Sequence, residues 1–413
     1  MKILGIETSC DETAAAVVED GRRIITNVSA TSLATHAKTG GVIPENAARE
    51  QLHYILPVLK ESLAGVSVDV VAVTQGPGLI GSLLVGVEAA KALSWATGKR
   101  LIAVNHLHGH VYSSWLSDNE PELPAIVLVA SGGHTDLVYM EENNYSIPDQ
   151  VGDDKEEILN QDPGQARMTK RTNVILNPES SSGQDSVKNL KANRDEILPS
   201  SLKLRRTGRD AQDDNEETSE LSMELANPDS NFFKQAHSLT YLGGTRDDAA
   251  GEAFDKTARM LGLSYPGGPK LSELARHGQP GKVKLPRPMI GEGNSEFSFS
   301  GLKTAVRTVL SDERLEKADV AWEIEEAITD VLVEKTMRAA RRCEVGSIIL
   351  GGGVVANSKL RKKFEERWEG KLYFPEVKLA TDNAAVIAAA AFWQRNFVDP
   401  LELQADSSLS LVN

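Results

Sequence analysis

The chain opens on the apolar run Ile3-Leu-Gly-Ile6, breaks at the polar turn Glu7-Thr-Ser-Cys-Asp-Glu-Thr13, and becomes apolar again through Ala14-Ala-Ala-Val-Val18. Short apolar runs bounded by turn residues predict strands, and Asp20-Gly21 behind the second run is a hairpin signal. Asp69-Val-Val-Ala-Val-Thr74 reads as a buried strand. It ends in Gly76-Pro-Gly78 and Gly81 and opens a helix with apolar positions at Leu84, Val87, Ala90 and Leu93. Leu101-Ile-Ala-Val104 is a further strand, followed by Asn105, a good N-cap for another helix.

The opening pattern then recurs. Ala125-Ile-Val-Leu-Val-Ala130 is a strand, Ser131-Gly-Gly-His-Thr135 a tight turn, and Leu137-Val-Tyr139 a return strand. Further along, a helix is expected from the Asp247–Asp255 motif through Met260, stopping near Gly262, and Tyr265-Pro-Gly-Gly-Pro269 is read as a loop. Trp322–Arg342 is a long amphipathic helix, Ser347–Leu350 a buried strand, and Asn357 the cap of a helix rich in Lys359, Arg361, Lys362 and Lys363. Two strand–turn–strand units with hydroxyl-bearing turns, plus the Gly351-Gly-Gly353 strand end, are the arrangement that grips phosphates from two sides. The expected architecture is α/β: an actin-like ATPase (ASKHA) fold of two duplicated lobes with the active site in the cleft between them. Residues 1–124 form the N-terminal lobe, and 125–140 with 241–413 the C-terminal lobe.

Composition changes the picture in one place. Residues 141–240 are dense in Asp, Glu, Ser, Asn and Gln, with Tyr145, Phe232 and Phe233 as the only aromatics. Such a segment lacks the apolar surface to build a core and reads as an acidic, disordered insertion, with a third folded domain as the alternative. Over the whole chain of 413 residues, 45 Lys and Arg against 59 Asp and Glu leave a net charge of −14, the wrong sign for coating nucleic acid by charge alone. Arg338, Arg341, Arg342 and the Lys359–Lys363 helix are the local exceptions, read either as phosphate contacts or as a solvated face. No leader or membrane span is read, and the two cysteines, Cys10 and Cys343, cannot form a disulfide framework. A cytoplasmic protein is expected.

His106 and His110 are four apart on the helix after Asn105, so both imidazoles share one face. That is metal-ligand spacing, with two surface histidines as the plain alternative. A zinc protease would need Glu after the first His, and Leu107 stands there. His108 lies off that face, at solvent or behind the ligands. Asp382, in Leu379-Ala-Thr-Asp-Asn-Ala-Ala-Val-Ile387, is either a helix cap or the carboxylate completing a two-His, one-carboxylate set with open positions. Asp11, Glu12 and Asp255 are carboxylates beside turns, able to cap those turns or to orient substrate or metal.

Taken in order, these segments resemble one family, the TsaD/Gcp proteins. The resemblance rests on Gly5-Ile-Glu-Thr-Ser-Cys-Asp-Glu-Thr13, Gly76-Pro-Gly-Leu79, His106 to His110, Ser131-Gly-Gly-His-Thr135 and Asp248-Ala-Ala-Gly-Glu-Ala-Phe-Asp255. Tyr265-Pro-Gly-Gly-Pro269, Phe297-Ser-Phe-Ser-Gly-Leu-Lys-Thr304, Gly351-Gly-Gly-Val-Val-Ala-Asn357 and Thr381-Asp-Asn383 extend it over nearly everything outside the insertion. The resemblance implies a tRNA N6-adenosine threonylcarbamoyltransferase. Such an enzyme moves a threonylcarbamoyl group from threonylcarbamoyl-AMP to the adenosine 3′ of the anticodon (position 37) in tRNAs reading ANN codons. It implies one divalent metal, Fe(II) or else Zn(II), on His106, His110 and Asp382. Asp11 and Glu12 become catalytic, and Ala130, Ser131, Gly132, Gly133, His134, Asp255, Gly268 and Asn357 contact the adenylate. It also implies a TsaB-like paralogue and a TsaE-like ATPase as partners, and no membrane. Two departures stand out: His108 where the family favours Glu, and Ala130 where Val is commoner. A kinase or ATPase of the same fold would not need the histidine pair, and a non-catalytic scaffold would not need the metal ligands.

Overall fold

The computed structural model describes residues 1–33, 36, 39–117, 119–143 and 237–412. Two sheets with the same strand order form its frame. In the first, β1 (Lys2–Glu7), β2 (Glu12–Glu19) and β3 (Arg23–Thr31) form an antiparallel meander. β4 (Val70–Gly76) and β5 (Arg100–Asn105) then extend the sheet in parallel from β1. In the second, β6 (Ala125–Ala130), β7 (Thr135–Glu142) and β8 (His237–Gly244) repeat the meander. β9 (Ser347–Gly351) and β10 (Lys371–Tyr373) repeat the parallel extension. The order 3-2-1-4-5 occurs twice, which is the duplicated α/β architecture expected from the sequence.

Alternation along the strands sorts the side chains into three cores. Leu4, Ile6, Ala15, Val17, Val71 and Val73 face outward onto α1 (Pro44–Ser62) and α2 (Ile80–Thr97). Ile126, Leu128 and Leu137 face the opposite way, onto α4 (Ala250–Met260), α5 (Gly267–Ala275), α6 (Ser300–Val309) and α7 (Lys317–Arg342). The central core lies between the sheets: Ile3, Ala14, Ala16, Val70 and Val104 on one side, Val127, Val129 and Ile349 on the other. It is filled by α3 (His106–Tyr112) and, later in the chain, α10 (Ala384–Gln394). α10 is alanine-rich because the backbone comes very close: a Cβ on Gly5 would lie 2.4 Å from the Ala384 carbonyl oxygen.

The structure corrects three boundaries. α10 packs on the first sheet and β11 (Phe397–Val398) pairs with β5, so the end of the chain crosses back from the C-terminal lobe. β7 runs to Glu142 and β8 begins at His237, so both meander strands reach into the expected 141–240 insertion, whose residues 144–236 lie outside the described residues. The Tyr265–Pro269 segment is not a plain loop, because α5 starts at Gly267. On the basic helix Lys362 keeps the expected solvated face, paired with Glu366, while its neighbours turn inward. α8 (Ser358–Arg367), with its N-cap on Asn357 as expected, lies against α7. There Lys359 pairs with Glu325 and Glu326, Lys363 pairs with Glu326 and Asp330, and Arg361 donates to the Val355 and Pro375 carbonyls. Arg338 and Arg342 donate to carbonyls between Ile290 and Gly293. These cations brace the second lobe.

Candidate active site

The site is built on strand ends. β5 delivers Asn105, whose side chain accepts the Leu107 amide and starts α3, so both histidines enter on the first turns of one short helix. From the other direction α9 (Val377–Ala380) hands over to Asn383, which caps α10 by accepting from Ala385 and Val386. Asn383 therefore takes the capping role open to Asp382, and Asp382 turns to the histidines. Its Oδ1 lies 3.5 Å from His106 Nε2 and 3.3 Å from His110 Nε2. The three donor atoms all lie within 4.8 Å of one another, the two-His, one-carboxylate set expected.

The donors fit a metal on their own evidence. His110 is fully buried, yet neither of its ring nitrogens makes a hydrogen bond despite the nearby carboxylate. Buried polar atoms are normally paired, so a nitrogen left bare beside a carboxylate and a second imidazole is placed as a ligand is. Small residues bring the helix in: a Cβ on Gly351 would lie 2.2 Å from the His110 carbonyl oxygen, and one on Gly109 would lie 2.8 Å from Ile387.

Behind the ligands stands Glu7, which the sequence reading did not single out. It ends β1 with no exposure, accepts from the Ser9 amide and Thr74 Oγ1 (2.6 Å), and sits 3.0 Å from His106 Nδ1. Burial alone would raise the Glu7 carboxyl, but the His106 charge and hydrogen bond outweigh it and hold the carboxyl below its ordinary value. Burial pulls His106 down, while Glu7 and Asp382 on either side drive it well above the usual histidine range. The available signal for Glu7 was a carboxylate continuing an otherwise apolar buried strand, which is costly unless paired.

Glu12 and Asp11 sit on the β1–β2 turn beside this centre. Burial first, then the Asp11 charge, pushes Glu12 up to about 7, and burial with the Asp382 charge raises Asp11. Gln51 of α1 clamps the turn, its Nε2 donating to the Cys10 carbonyl at 3.1 Å and the Glu12 carbonyl at 3.0 Å, and Ser82 Oγ adds a bond to Cys10. No pattern in the sequence pointed to Gln51. Burial and neighbouring carboxylates drive the Cys10 thiol far above its usual value, so it is no thiolate nucleophile.

Across the cleft, Asp255 Oδ1 accepts from the Gly267 (2.7 Å) and Gly268 (3.2 Å) amides at the start of α5. Burial raises its carboxyl, with Asp11 among the contributing charges, and Tyr265 feels both Asp11 and Asp255. The 131–134 turn closes with the Ser131 amide donating to the His134 carbonyl, and α4 docks on it through the Gly251 amide. Gly132 and Gly133 are exposed, with open space where a Cβ would stand, so their backbone is accessible to a ligand. Burial lowers His134 to about 4, helped by the His106 and His110 charges. Ala130 is fully buried beneath the turn. Asn357 is already engaged, accepting from Leu360 and donating to Ser272 and Glu325.

His108 is not solvent-facing. Its Nε2 donates to the Leu411 carbonyl at 2.6 Å and its Nδ1 accepts from Gln394. The Leu411 contact belongs to a C-terminal strap, also held by Asn105 on the Ser410 carbonyl and by reciprocal Gln75 contacts with Gln404 and Asp406. Among the described residues no helix is long and apolar enough to cross a membrane.

Comparison with known proteins bears on this geometry. Among solved structures, the chain is similar to component A of the (R)-2-hydroxyglutaryl-CoA dehydratase of Acidaminococcus fermentans, with a TM-score of 0.45 and 13% identity over 95% of this chain and 98% of that one. Sequence relatives are much nearer. The tRNA N6-adenosine threonylcarbamoyltransferase of Moorella thermoacetica is 40% identical over 425 residues, covering 99% of this chain and 97% of that protein. The Symbiobacterium thermophilum protein of the same name is 41% identical, covering 99% and 96%. That of Thermotoga neapolitana is 38% identical over the full length of both. The family description TsaD, tRNA N6-adenosine threonylcarbamoyltransferase, matches residues 23–165 and 231–389, a span that contains both histidines and Asp382. The chain belongs to the TsaD family of tRNA N6-adenosine threonylcarbamoyltransferases.

Proposed function

We propose that this chain transfers a threonylcarbamoyl group from threonylcarbamoyl-AMP to N6 of the adenosine 3′ of the anticodon, in tRNAs reading ANN codons. The observation that carries the reading is the convergence of His106, His110 and Asp382 on one buried point in a chain of this family. A divalent ion held there, Fe(II) or Zn(II), supplies Lewis-acid polarisation of the carbamoyl oxygen or charge for the neighbouring phosphate.

The chain's own residues do the rest. An adenine amine is a weak nucleophile, so orientation and proton removal both matter. N6 attacks the carbamoyl carbon, the bond from that carbon to the phosphate oxygen breaks, and AMP leaves with its electron pair. Glu12, raised to about 7 and set on a clamped turn, accepts the N6 proton, while its burial and then the Asp11 charge keep it in that range. The open backbone of Gly132 and Gly133, the Ser131 and His134 turn, and the Gly267–Gly268 amides ordered by Asp255 cradle the departing nucleotide. Asn357 serves it by rotating away from Ser272. The Cys10 thiol is held protonated, so transfer is direct, with no acyl-enzyme. A TsaB-like paralogue and a TsaE-like ATPase complete the working enzyme in the cytoplasm.

The test is single-turnover transfer with purified chain, partners, donor and unmodified tRNA, followed by nucleoside digestion and mass measurement. Threonylcarbamoyladenosine at that single position supports the reading. Donor consumed without modified nucleoside, or a threonylcarbamoyl adduct trapped on the protein, sinks it.

A further inference from the structure

One hydrogen bond crosses the cleft and has no part in the reading above. Arg259 lies on the exposed side of α4, one turn after Asp255, the carboxylate that orders the Gly267 and Gly268 amides. Its Nη2 donates to the Gly40 carbonyl of the first lobe at 2.5 Å, between residues 219 apart in the chain. Gly40 has a φ of 72°, left-handed backbone that glycine adopts without a Cβ clash, and a Cβ on Gly41 would lie 3.4 Å from the same nitrogen. From there the contacts run on to the catalytic turn. The Gly41 amide donates to the His36 carbonyl at 3.1 Å, and Thr39 Oγ1 donates to that carbonyl at 3.0 Å. His36 is fully buried, and among the described residues its ring is held through Nε2 alone, 2.9 Å from Ser32 Oγ. The Ser32 hydroxyl gives its one proton to the Asp11 carbonyl (2.8 Å), so its oxygen accepts from His36 Nε2. The Ser32 amide donates to the same carbonyl at 3.1 Å. Ser32 follows directly on β3, whose last residue, Thr31, stands opposite Glu12 in the β2–β3 ladder.

We propose that Arg259 is a positioning residue for transfer. From the second lobe it fixes the segment behind the β1–β2 turn, and through His36 and Ser32 it sets where the Glu12 carboxylate meets the acceptor amine. The proposal rests on the transfer function above. A base works only within hydrogen-bond reach of the proton it takes, and a misplacement of about 1 Å can cost about a hundredfold in rate. Gln51 and Ser82 hold the turn from within its own lobe. Arg259 ties it to the lobe that carries Asp255, so the nucleotide cradle and the base keep one spacing across the cleft. Coupling between distant groups needs a continuous set of contacts, and here each contact is a named hydrogen bond.

The test uses the full chain with its partners, metal, donor and unmodified tRNA, each variant checked for folding by circular dichroism. Arg259→Ala removes the donor from an exposed position, Arg259→Lys keeps a charged donor, and Ser32→Ala removes the hydroxyl at the far end of the series. The expected result is a kcat lowered about tenfold by Arg259→Ala, with KM for tRNA and for the donor within about threefold and most of the loss recovered in Arg259→Lys. Ser32→Ala lowers kcat as well. The double variant Arg259→Ala with Ser32→Ala is slower than the slower single variant by no more than about twofold, because both break one series. If the two losses multiply, or if Arg259→Ala raises KM for tRNA or donor about tenfold and spares kcat, Arg259 meets substrate directly and the proposal is overturned. An Arg259→Ala enzyme with the wild-type kcat overturns it too. Absence of transfer by wild type is a different result, and overturns the proposed function instead.

Discussion

Replacing Glu7 by Gln changes only the atoms that the structure makes decisive. Glu7 presents two acceptor oxygens to three donors: one takes the Ser9 amide, the other Thr74 Oγ1 and His106 Nδ1. A glutamine must turn its NH2 toward one of those places. Facing Ser9, it sets two donors against each other inside the protein, a loss of about 1–3 kcal/mol. Facing His106, it moves the ring proton to Nε2, the nitrogen that points at Asp382 and must be bare to bind metal. Loss of a residue that orients a metal-binding histidine costs about 10- to 100-fold in metal affinity, or about 1.4–2.7 kcal/mol. The assay is competition for Zn(II) between apo-protein and a chromophoric chelator, with circular dichroism showing that the variant is folded. A folded Glu7→Gln protein that binds metal within twofold of wild type would refute the orienting role.

Four further outcomes follow from named contacts. With Glu12 as the base, transfer rises with pH through about 7, because the carboxylate form does the work, and Glu12→Gln lowers kcat about 100-fold or more and flattens that limb. The folded metal-free protein holds the Glu12 proton where the unfolded chain has released it, so Glu12 lowers stability as pH rises from about 4.5 to 7. Denaturant midpoints for wild type and Glu12→Gln across that range show whether the slope disappears. Gly351→Ala drives a Cβ to 2.2 Å from the His110 carbonyl oxygen and costs about 1–3 kcal/mol together with metal affinity, read by thermal melts with and without metal. Glu142 and His237 are directly opposite in the β7–β8 ladder, so replacing residues 144–236 by a single glycine, which leaves Asn143-Gly as a two-residue turn, keeps transfer within about threefold; loss of transfer with the fold intact would give that segment a role in the reaction.

Much of this was legible in the sequence because the relevant signals are local. Strand–turn–strand patterns at residues 3–18 and 125–139 gave the first two strands of each meander, and the i, i+4 spacing on a capped helix gave the histidine pair. What stayed hidden depends on contacts between distant segments. Glu7 is 99 residues from His106, and a carboxylate at a strand end reads the same whether paired or not. Gln51 looks like any polar helix residue until α1 is laid over the β1–β2 turn. The return of α10 to the first sheet could not be read from an alanine run, which suits any close-packed site. Lys359 and Lys363 were open to reading as phosphate contacts or as a solvated face, because their acidic partners lie more than thirty residues away on α7. The choice for His108 between solvent and a place behind the ligands stayed open for the same reason: its partner Leu411 is 303 residues on.

The most direct test of the central claim is transfer by Asp382→Ala beside wild type, each metal-stripped and then reloaded, with bound metal counted on the same samples. The account predicts about one metal per wild-type chain, transfer that vanishes on stripping and returns on reloading, and a folded variant with neither metal nor transfer. A variant that loses its metal yet modifies tRNA at the wild-type rate would contradict it, because the three converging side chains would then not be the working centre.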